Sequence, residues 1–291
     1  MHHLQERALG HNTDQTCLVC GATSREVIPA VKKGYLRCRK CGLVAQEKKS
    51  SPSEITDHYE IRDPIDRVSL SRVHVYDQFL RGVSTRIKDP GRLLDVGCSR
   101  GDFIERAIEY GWGGYGVEPV ERLAAEATVK GLQVFSGVLA QMPRDWGPFD
   151  LITYWDAFML VDDPIREMER AVSCLSEKGW IYLRLRQHGV QQLLRRFWQI
   201  AGRRIGLPDY SVYHPLNFTP RTIRALAGLF GMETRITNSP LTRGDPYSMH
   251  RLNIPITAGK AFISTCASIA NRISRGRWII SPGMDIWMRP Q

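Results

Sequence analysis

The chain has 291 residues, of which 43% are hydrophobic and 24% charged, so it is long enough for one large domain and a small satellite domain. Its 40 Lys and Arg residues against 30 Asp and Glu give a net charge of +10, which suits an acidic partner. No apolar stretch approaches the roughly 20 residues needed to span a bilayer, so we expect a soluble or peripheral protein.

Two Cys-x-x-Cys pairs come first along the chain, Cys17 with Cys20 and Cys38 with Cys41, and a glycine follows each pair. This spacing is typical of a zinc ribbon, in which each pair forms a tight knuckle and the hairpin between them completes a tetrahedron of thiolates. Because protein fills all four ligand positions, we expect a structural zinc ion.

The alternatives for these cysteines are two disulfides or a redox dithiol. The polar start of the chain, residues 1–7, does not resemble a signal peptide, so we expect a cytoplasmic protein. A reducing cytoplasm disfavours disulfides.

A linker and a helical region follow the cysteines. Residues 48–53, Lys-Lys-Ser-Ser-Pro-Ser, are typical of a linker, and apolar residues at near-helical spacing predict one or two helices over 64–88.

The most informative motif is Leu-Leu-Asp-Val-Gly-Cys-Ser-Arg-Gly at 93–101. An apolar run that ends in an acid and two spaced glycines indicates a strand that turns sharply into a ligand-binding loop. The motif lacks the Gly-x-Gly-x-x-Gly of dinucleotide sites and the Gly-Lys-Ser/Thr of triphosphate sites, so an adenosine without phosphates fits better. The alternative is a tight turn that binds no ligand.

Strands alternating with helical stretches continue the pattern. We predict a helix over about 102–110 and strands over 114–118, 149–154 and 179–185, which together indicate an α/β fold with a doubly wound, Rossmann-like parallel sheet. Glu118 ends the second strand, where an acid is placed to accept both hydroxyls of a ribose. By itself Glu118 could be a surface acid, but acids on two successive strands favour a ligand site.

From Leu93 to about Gly231 the chain resembles the class I S-adenosylmethionine-dependent methyltransferases. The shared features are Asp-Val-Gly-x-x-x-Gly at 95–101, Glu118, Trp-Asp at 155–156 with Asp-Pro at 163–164, and Asn-Phe-Thr-Pro at 217–220. The chain is most similar to small-molecule methyltransferases of the ubiquinone-biosynthesis and sugar-modifying type. This resemblance implies S-adenosylmethionine as the cofactor.

The resemblance also implies roles for individual residues. In that family the glycine loop wraps the methionine part of the cofactor, the second acid holds the ribose, and the segment after the fourth strand borders the methyl-transfer site. Upstream, Tyr59 either touches the cofactor or packs in the linker. The expected cofactor-binding residues are Tyr59, Asp95, Gly97, Cys98, Gly101, Glu118, Pro119, Tyr154 and Trp155.

The general base is less clear from the sequence. Many relatives carry a His five residues after the Trp of the Trp-Asp pair, but this chain has Leu160 there. The candidates are Asp156, His188 and His214, and for each one a hydrogen-bonded structural role is the alternative. We favour His214 because it ends a Tyr-x-x-Tyr-His run where family members meet substrate.

Two basic amphipathic segments complete the chain. Apolar residues recur at helical spacing over 190–205 with arginines on the other face, and a similar stripe runs over 262–273 with arginines after it. The first segment is either a lid over the active site or a helix that lies on an anionic membrane, which would make the protein peripheral on the inner face of the membrane. The second must dock on the body of the protein, a second subunit or a membrane.

Three classes of function follow. The first is a methyltransferase that acts, with oxygen as the expected acceptor atom, on a sugar, a lipid-linked glycan or another small metabolite. The second is an RNA methyltransferase that uses the ribbon and the basic surface, but no Asn-Pro-Pro-Tyr type motif for base methylation follows the fourth strand. The third is a non-catalytic binding protein, which the missing His at position 160 keeps open. The sequence does not indicate an oligomeric state.

We expect four regions along the chain. They are a zinc ribbon and linker over 1–50, a helical cover over 51–90, a methyltransferase domain over 91–257 with a helical insertion at about 187–217, and an amphipathic tail over 258–291.

Overall fold

The structure is a computed structural model. It describes residues 16–28, 34–47, 65–197, 199–200, 214–239 and 265–291, the last range with gaps at 268, 271 and 275–277. The predictions for Tyr59 and for the linker over 48–53 lie outside the described residues.

A small antiparallel sheet contains the ribbon. Its strands are β1 (Arg25–Val27), β2 (Tyr35–Cys38) and β3 (Val44–Gln46), and a distant strand, β9 (Leu216–Asn217), pairs with β3. All three strand pairs are antiparallel, and Val44 lies opposite Asn217. The ribbon is therefore joined to the larger part of the molecule through backbone hydrogen bonds.

The main sheet has seven strands in the order β10-β11-β8-β7-β4-β5-β6. The strands β4 to β8 are parallel, and β11 runs antiparallel between β8 and β10. Their bounds are β4 Arg92–Val96, β5 Gly113–Glu118, β6 Gln133–Ser136, β7 Phe149–Trp155, β8 Leu175–Arg186, β10 Met232–Asn238 and β11 Gly283–Pro290. The α/β class and the mostly parallel sheet confirm the predicted fold.

Helices cover both faces of this sheet. They are α1 Ile65–Val83, α2 Asp102–Glu109, α3 Glu121–Val129, α4 Pro164–Ser173, α5 His188–Phe197 and α6 Pro220–Leu229. The starts of α4 and α6 follow from the sequence, because Asp163 and Thr219 accept backbone N–H groups as N-caps and a proline occupies the first turn of each helix.

The helix α1 covers one face through an aromatic cluster. Phe79 of α1 stacks on Trp287 of β11, with ring centroids 5.3 Å apart, and also contacts Trp155 and Tyr182. Buried apolar residues of α1 complete this layer. Such burial is the main stabilising term for an amphipathic helix, and here it holds α1 over the carboxyl ends of β7 and β8.

The last strand belongs to the main sheet, whereas the sequence predicts a separate amphipathic tail over 258–291. Every residue from Gly283 to Met288 pairs with β8, and the strand pairs with β10 on its other side. Ile286 and Met288 are fully buried. The C-terminal residues therefore form an internal strand of the core.

Candidate active site and metal centre

The glycine loop after β4 has the backbone shape that its sequence predicts. Gly97 has φ 76° and Gly101, the N-cap of α2, has φ 77°. A Cβ on Gly97 would lie 2.6 Å from the Cβ of Ala157. Both the left-handed backbone and the close approach of the segment after β7 therefore require glycine at position 97.

Two carboxylates end the strands beside this loop, and both are buried. Asp95 accepts a hydrogen bond from the Thr153 hydroxyl at 2.7 Å. Glu118 accepts the backbone N–H groups of Ser99 at 2.8 Å and Val120 at 2.9 Å. Through its bond to Ser99, Glu118 thus holds the glycine loop against the end of β5.

Burial dominates the electrostatics of these two acids. It raises the pKa of Asp95 to about 8, against the opposing hydrogen bond from Thr153, and it also raises the pKa of Glu118. Within the described ranges no ion pair reaches either carboxylate. The charge of Arg72 acts on Asp95 but does not outweigh its burial, so the pair of acids favours a ligand that brings positive charge.

The end of β7 divides its side chains between the two faces of the sheet. The Tyr154 hydroxyl lies 3.0 Å from Glu167 of α4, so the side chain packs away from α1. Trp155 points to the α1 face, where its ring packs edge-on against Tyr76. Its indole N–H is buried and has no hydrogen-bond partner among the described residues. Trp155 therefore holds a free donor at the carboxyl edge of the sheet.

Asp156 follows Trp155 in a left-handed conformation, with φ 59°, which is uncommon outside glycine and typical of functional sites. Its carboxylate pairs with Arg72 of α1 at 2.7 Å. Burial alone would raise the pKa of Asp156, but Arg72, Arg184 and Arg186 outweigh this effect and lower it. Asp156 is therefore ionised at neutral pH within a group of cations.

The two candidate histidines lie in different surroundings. His188 begins α5 and is 2% exposed, and this burial lowers its pKa to about 4, which makes it a weak proton acceptor near pH 7. His214 comes two residues before Leu216, whose N–H donates at 3.0 Å to the carbonyl of Met159, three residues after Asp156. The charge of His214 also contributes, after those of the three arginines, to lowering the pKa of Asp156. The segment that carries His214 therefore lies beside the chain that follows Asp156.

Asn217 fixes the backbone of His214. Its side-chain oxygen accepts the His214 N–H at 3.1 Å, and its amide nitrogen donates to the His214 carbonyl at 2.6 Å and to the Val44 carbonyl of β3 at 3.3 Å. Through Val44 and Asn217, the ribbon therefore helps to fix the position of the His214 backbone.

The other predicted cofactor residues have simpler positions. Cys98 is buried among Ile104, Ala127 and Leu132, so its side chain packs under the glycine loop against α2 and α3. Pro119 is exposed directly after Glu118.

The four ribbon cysteines come together as their spacing predicts. Their sulfur atoms lie within 4.8 Å of one another, with 3.5 Å between Cys17 and Cys41 and between Cys20 and Cys38. Zn–S bonds of about 2.3 Å in a tetrahedron require sulfur atoms roughly 3.8 Å apart, so the cluster fits a zinc ion. All four thiols are free of disulfides. The matched turns at Gly21 (φ 67°) and Gly42 (φ 80°) shape the two knuckles.

Comparisons with known proteins agree with this geometry. A family model described as a methyltransferase domain matches residues 69–234, which is more than half of the chain. The chain belongs to this methyltransferase family. It is an S-adenosylmethionine-dependent methyltransferase, with a four-cysteine cluster compatible with structural zinc near its N-terminus.

Solved structures of other methyltransferases share the fold of this methyltransferase. The plantazolicin methyltransferase BpumL in complex with SAH is 16% identical, with 83% of this chain and 92% of that chain covered and a TM-score of 0.52. Magnesium protoporphyrin IX methyltransferase (ChlM) from Synechocystis PCC 6803 with bound SAH is 12% identical, with 83% and 100% covered and a TM-score of 0.54. A search of curated proteins gives no match.

Sequence reasoning missed several residues of this site. Arg72, Thr153 and Asn217 carry no sequence signal of their own, because their importance depends on which side chains the fold brings near them. Arg184 had a signal, since it interrupts the apolar run Ile-Tyr-Leu-Arg-Leu of a buried strand. A charge in such a strand indicates an ion-pairing or functional position.

Within the described ranges, every helix is too short or too polar to cross a lipid bilayer.

Proposed function

We propose that this methyltransferase transfers a methyl group from S-adenosylmethionine to an oxygen atom of a sugar, a lipid-linked glycan or another small metabolite. One observation carries the proposal: Asp95 and Glu118, two buried carboxylates that form no ion pair among the described residues, end the strands next to a cation-rich group at the carboxyl ends of β7 and β8. The two carboxylates, here called the cofactor side, suit a cationic cofactor. The cation-rich group, which consists of Arg72, Arg184 and Arg186 with Asp156, is here called the acceptor side and suits a polar acceptor.

The residues of the cofactor side have separate roles in binding S-adenosylmethionine. S-adenosylmethionine supplies a sulfonium-bound methyl group and carries an ammonium, which would offset the charge of Asp95. Glu118 keeps unused lone pairs on both oxygens for ribose hydroxyls, because a carboxylate accepts more than the two bonds it makes here. Gly97 and Gly101 let the loop adopt a left-handed backbone and pack closely against Ala157 and Leu132. The Trp155 indole offers a donor. We assign Tyr154 and Cys98 to the site through their backbone only.

The acceptor side explains how a hydroxyl is positioned and deprotonated. Methyl transfer needs the acceptor oxygen in line with the methyl group, so most of the rate enhancement comes from positioning. We propose that His214 takes the hydroxyl proton and that ionised Asp156 stabilises the resulting imidazolium. His188 is the weaker candidate because of its low pKa.

The charge of the acceptor side favours one group of substrates. Arg72 pairs with Asp156, the charges of Arg184 and Arg186 also act on Asp156, and a second carboxyl, Asp285, lies opposite Arg184 on β11. Three arginines thus stand against two acids. The surplus of positive charge suits an acceptor that carries a phosphate or carboxylate. Sugar phosphates and lipid-linked glycans have this chemistry.

The test is transfer of labelled methyl from S-adenosylmethionine into separate lipid, soluble-metabolite and RNA fractions. We expect label in the lipid or metabolite fraction, as a methyl ether. His214→Gln should lower kcat at least about 100-fold and change the pH profile, in line with loss of a general base. His188→Gln is the matched control and should keep the pH profile. Label on nitrogen or carbon would contradict the proposal.

RNA methylation is the second candidate, and the overall charge of +10 favours it. However, two of the three basic residues clustered in the ribbon, Arg37 and Arg39, form ion pairs with Glu26, at 3.7 and 3.3 Å. This pairing leaves the ribbon with less charge for phosphates than its sequence indicates. Label in the RNA fraction would nevertheless favour this candidate.

A further inference from the structure

We propose that α5 and the segment before β11 form a surface that docks on an anionic lipid bilayer. This surface, the apolar patch, consists of large side chains that are between 41% and 72% exposed, namely Leu193, Ile200, Ile269, Ile273, Trp278 and Ile280. These six are more than half of the large hydrophobic side chains that are exposed among the described residues. Such a concentration is typical of an interaction site.

Hydrogen bonds hold the two parts of the apolar patch together. Gln187, just before α5, donates its N–H to the Pro282 carbonyl at 2.8 Å and its side-chain amide to the Ile279 carbonyl at 3.2 Å. Its side-chain oxygen accepts the N–H of Val190 in α5 at 2.7 Å. The start of α5 is therefore fixed to the chain that carries Trp278 and Ile280.

Asn238, at the end of β10, fixes the remaining part. Its amide donates to the carbonyls of Ala267 and Trp278 at 3.1 and 3.4 Å, and its oxygen accepts the N–H groups of Ile280 and Ser281 at 2.9 Å. The helical residues between 265 and 273 and the segment over 278–281 thus lie at the same edge of the sheet as α5.

Spacing places two of the apolar side chains on a common helical face. Ile269 and Ile273 are four residues apart, which is about one turn, and both are helical, so their side chains project in nearly the same direction. Leu193 lies in α5, and Ile200 lies three residues after the end of α5 at Phe197.

Charge decides which partner fits. Residues 187–205 contain four arginines and residues 258–282 contain one lysine and three arginines, while neither range contains an Asp or Glu. Eight basic residues are thus found in two short segments of a chain with a net charge of +10. Arg196 and Arg272 are exposed on the helices that carry the apolar patch. Aliphatic side chains flanked by arginines are typical of interfacial helices on anionic lipid.

The apolar patch lies at the edge of the sheet that bears the acceptor side. The strand β8 ends at Arg186, whose charge acts on Asp156, and α5 begins two residues later. Docking would therefore bring the acceptor side near the membrane surface. The docking itself does not depend on the identity of the acceptor.

The experiment is co-sedimentation of the full-length zinc-bound protein with large vesicles, either neutral phosphatidylcholine or phosphatidylcholine with 30% phosphatidylglycerol. We expect binding to the anionic vesicles only, weakened by salt. The double variant Arg196→Glu with Arg272→Glu should lower the partition coefficient at least about tenfold, because each basic residue near such a surface contributes roughly a fivefold effect. Ile273→Glu should weaken binding to a similar extent.

Matched controls come from exposed residues elsewhere. Lys178→Glu changes the net charge at an exposed site outside the apolar patch, and Val129→Glu replaces an 89% exposed valine of α3. Both controls should bind vesicles like the wild type. Methyl transfer to a water-soluble acceptor should be unchanged in all four variants, which separates a failure of docking from a failure of the proposed function.

Three outcomes would overturn the proposal. One is equal binding to neutral and anionic vesicles, or binding that the patch variants do not alter. Another is a dimer in solution that Ile273→Glu dissociates while vesicles have no effect, since a second copy would then cover the apolar patch. The third is a salt-sensitive shift of RNA, without vesicle binding, that the arginine variants abolish.

Discussion

The burial of Asp95 makes the stability of the folded protein depend on pH. Its folded-state pKa is about 8, well above the value of 3.8 for an exposed Asp, because the carboxyl is fully buried. A raised pKa means that the folded protein holds a proton that the unfolded chain releases. This contribution to stability is complete below about pH 4 and is lost as the pH rises to about 8.

Asp95→Asn should therefore stabilise the ligand-free protein, and more so at high pH. The wild type loses up to about 1.4 kcal/mol per pH unit from this group between pH 4 and 8, whereas Asn has no charge to bury. Urea unfolding at pH 5, 6.5 and 8 measures the difference, with exposed Asp89→Asn as the control. A stability difference that is independent of pH would contradict this explanation. The same variant should bind S-adenosylmethionine at least about tenfold more weakly.

Gly97 provides a second test at the residue scale. Gly97→Ala should both strain the left-handed backbone and place its Cβ against Ala157, so we expect a loss of about 2 kcal/mol or more and of cofactor binding. Gly131→Ala is the matched control, because Gly131 has φ 82° but no atom near an added Cβ. It should lose only about 1 kcal/mol. Equal losses in the two variants, from thermal melts, would show that contact with Ala157 has no effect.

The sequence predicted some site residues better than others. Asp95, Gly97 and Glu118 lie in a local motif whose spacing dictates a strand, a turn and the next strand end, so their meeting follows from the order of the elements. Arg72 meets Asp156 only because of how α1 packs on the sheet, and Arg184 lies beside it because β8 pairs with β7 in a register that sets Arg184 opposite Trp155. No local pattern encodes either contact. Tyr154 and Trp155 are neighbours in sequence, but strand alternation sends their side chains to opposite faces.

At the scale of elements, the ribbon and the methyltransferase sheet are less separate than the sequence indicates. The zinc ribbon itself is predictable, since ligand spacing defines it. The pairing of β3 with β9 is not predictable, because a strand of two residues, about 170 positions further along the chain, carries no strand signal of its own and forms only by pairing with the edge of the ribbon sheet. Thr222 of α6 adds a hydrogen bond of 2.9 Å to the carbonyl of Cys41.

Removal of zinc should therefore affect one side of the active site and spare the other. With a strong chelator, we expect hydrogen exchange to lose protection over 34–47 and 214–222 but to keep it over 92–118, because the ribbon depends on its metal. Affinity for SAH, measured by calorimetry, should change less than about threefold, since Asp95 and Glu118 lie on strands of the main sheet.

The control for this experiment is the same chelator saturated with zinc beforehand, which should change nothing. Complete loss of SAH binding on chelation would show instead that the ribbon builds the cofactor site.

At the scale of the whole molecule, the order of the strands depends on the last residues of the chain. Four of the parallel strands, β4, β5, β7 and β8, follow from alternating strand and helix patterns, and the sequence predicted them, whereas the short edge strand β6 was not predicted. The strand β11 was missed, because Gly-Met-Asp-Ile-Trp-Met-Arg-Pro follows a basic amphipathic stretch and a short strand at a chain end is a weak signal. Only the sheet shows that it fills the space between β8 and β10.

Deletion of residues 283–291 should consequently abolish folding of the main domain. The truncation removes the buried side chains of Met284, Ile286 and Met288, each worth roughly 2 kcal/mol of burial, and opens two unpaired strand edges. Because typical domains have a total stability of about 5–15 kcal/mol, this loss is enough to unfold the protein. We expect aggregation on expression.

A synthetic peptide of residues 282–291, added during refolding, should restore a cooperative melt and SAH binding by pairing with β8 and β10, whereas a peptide of the same composition in scrambled order should not. A truncated protein that melts cooperatively by itself near the wild-type temperature would show that β11 is dispensable.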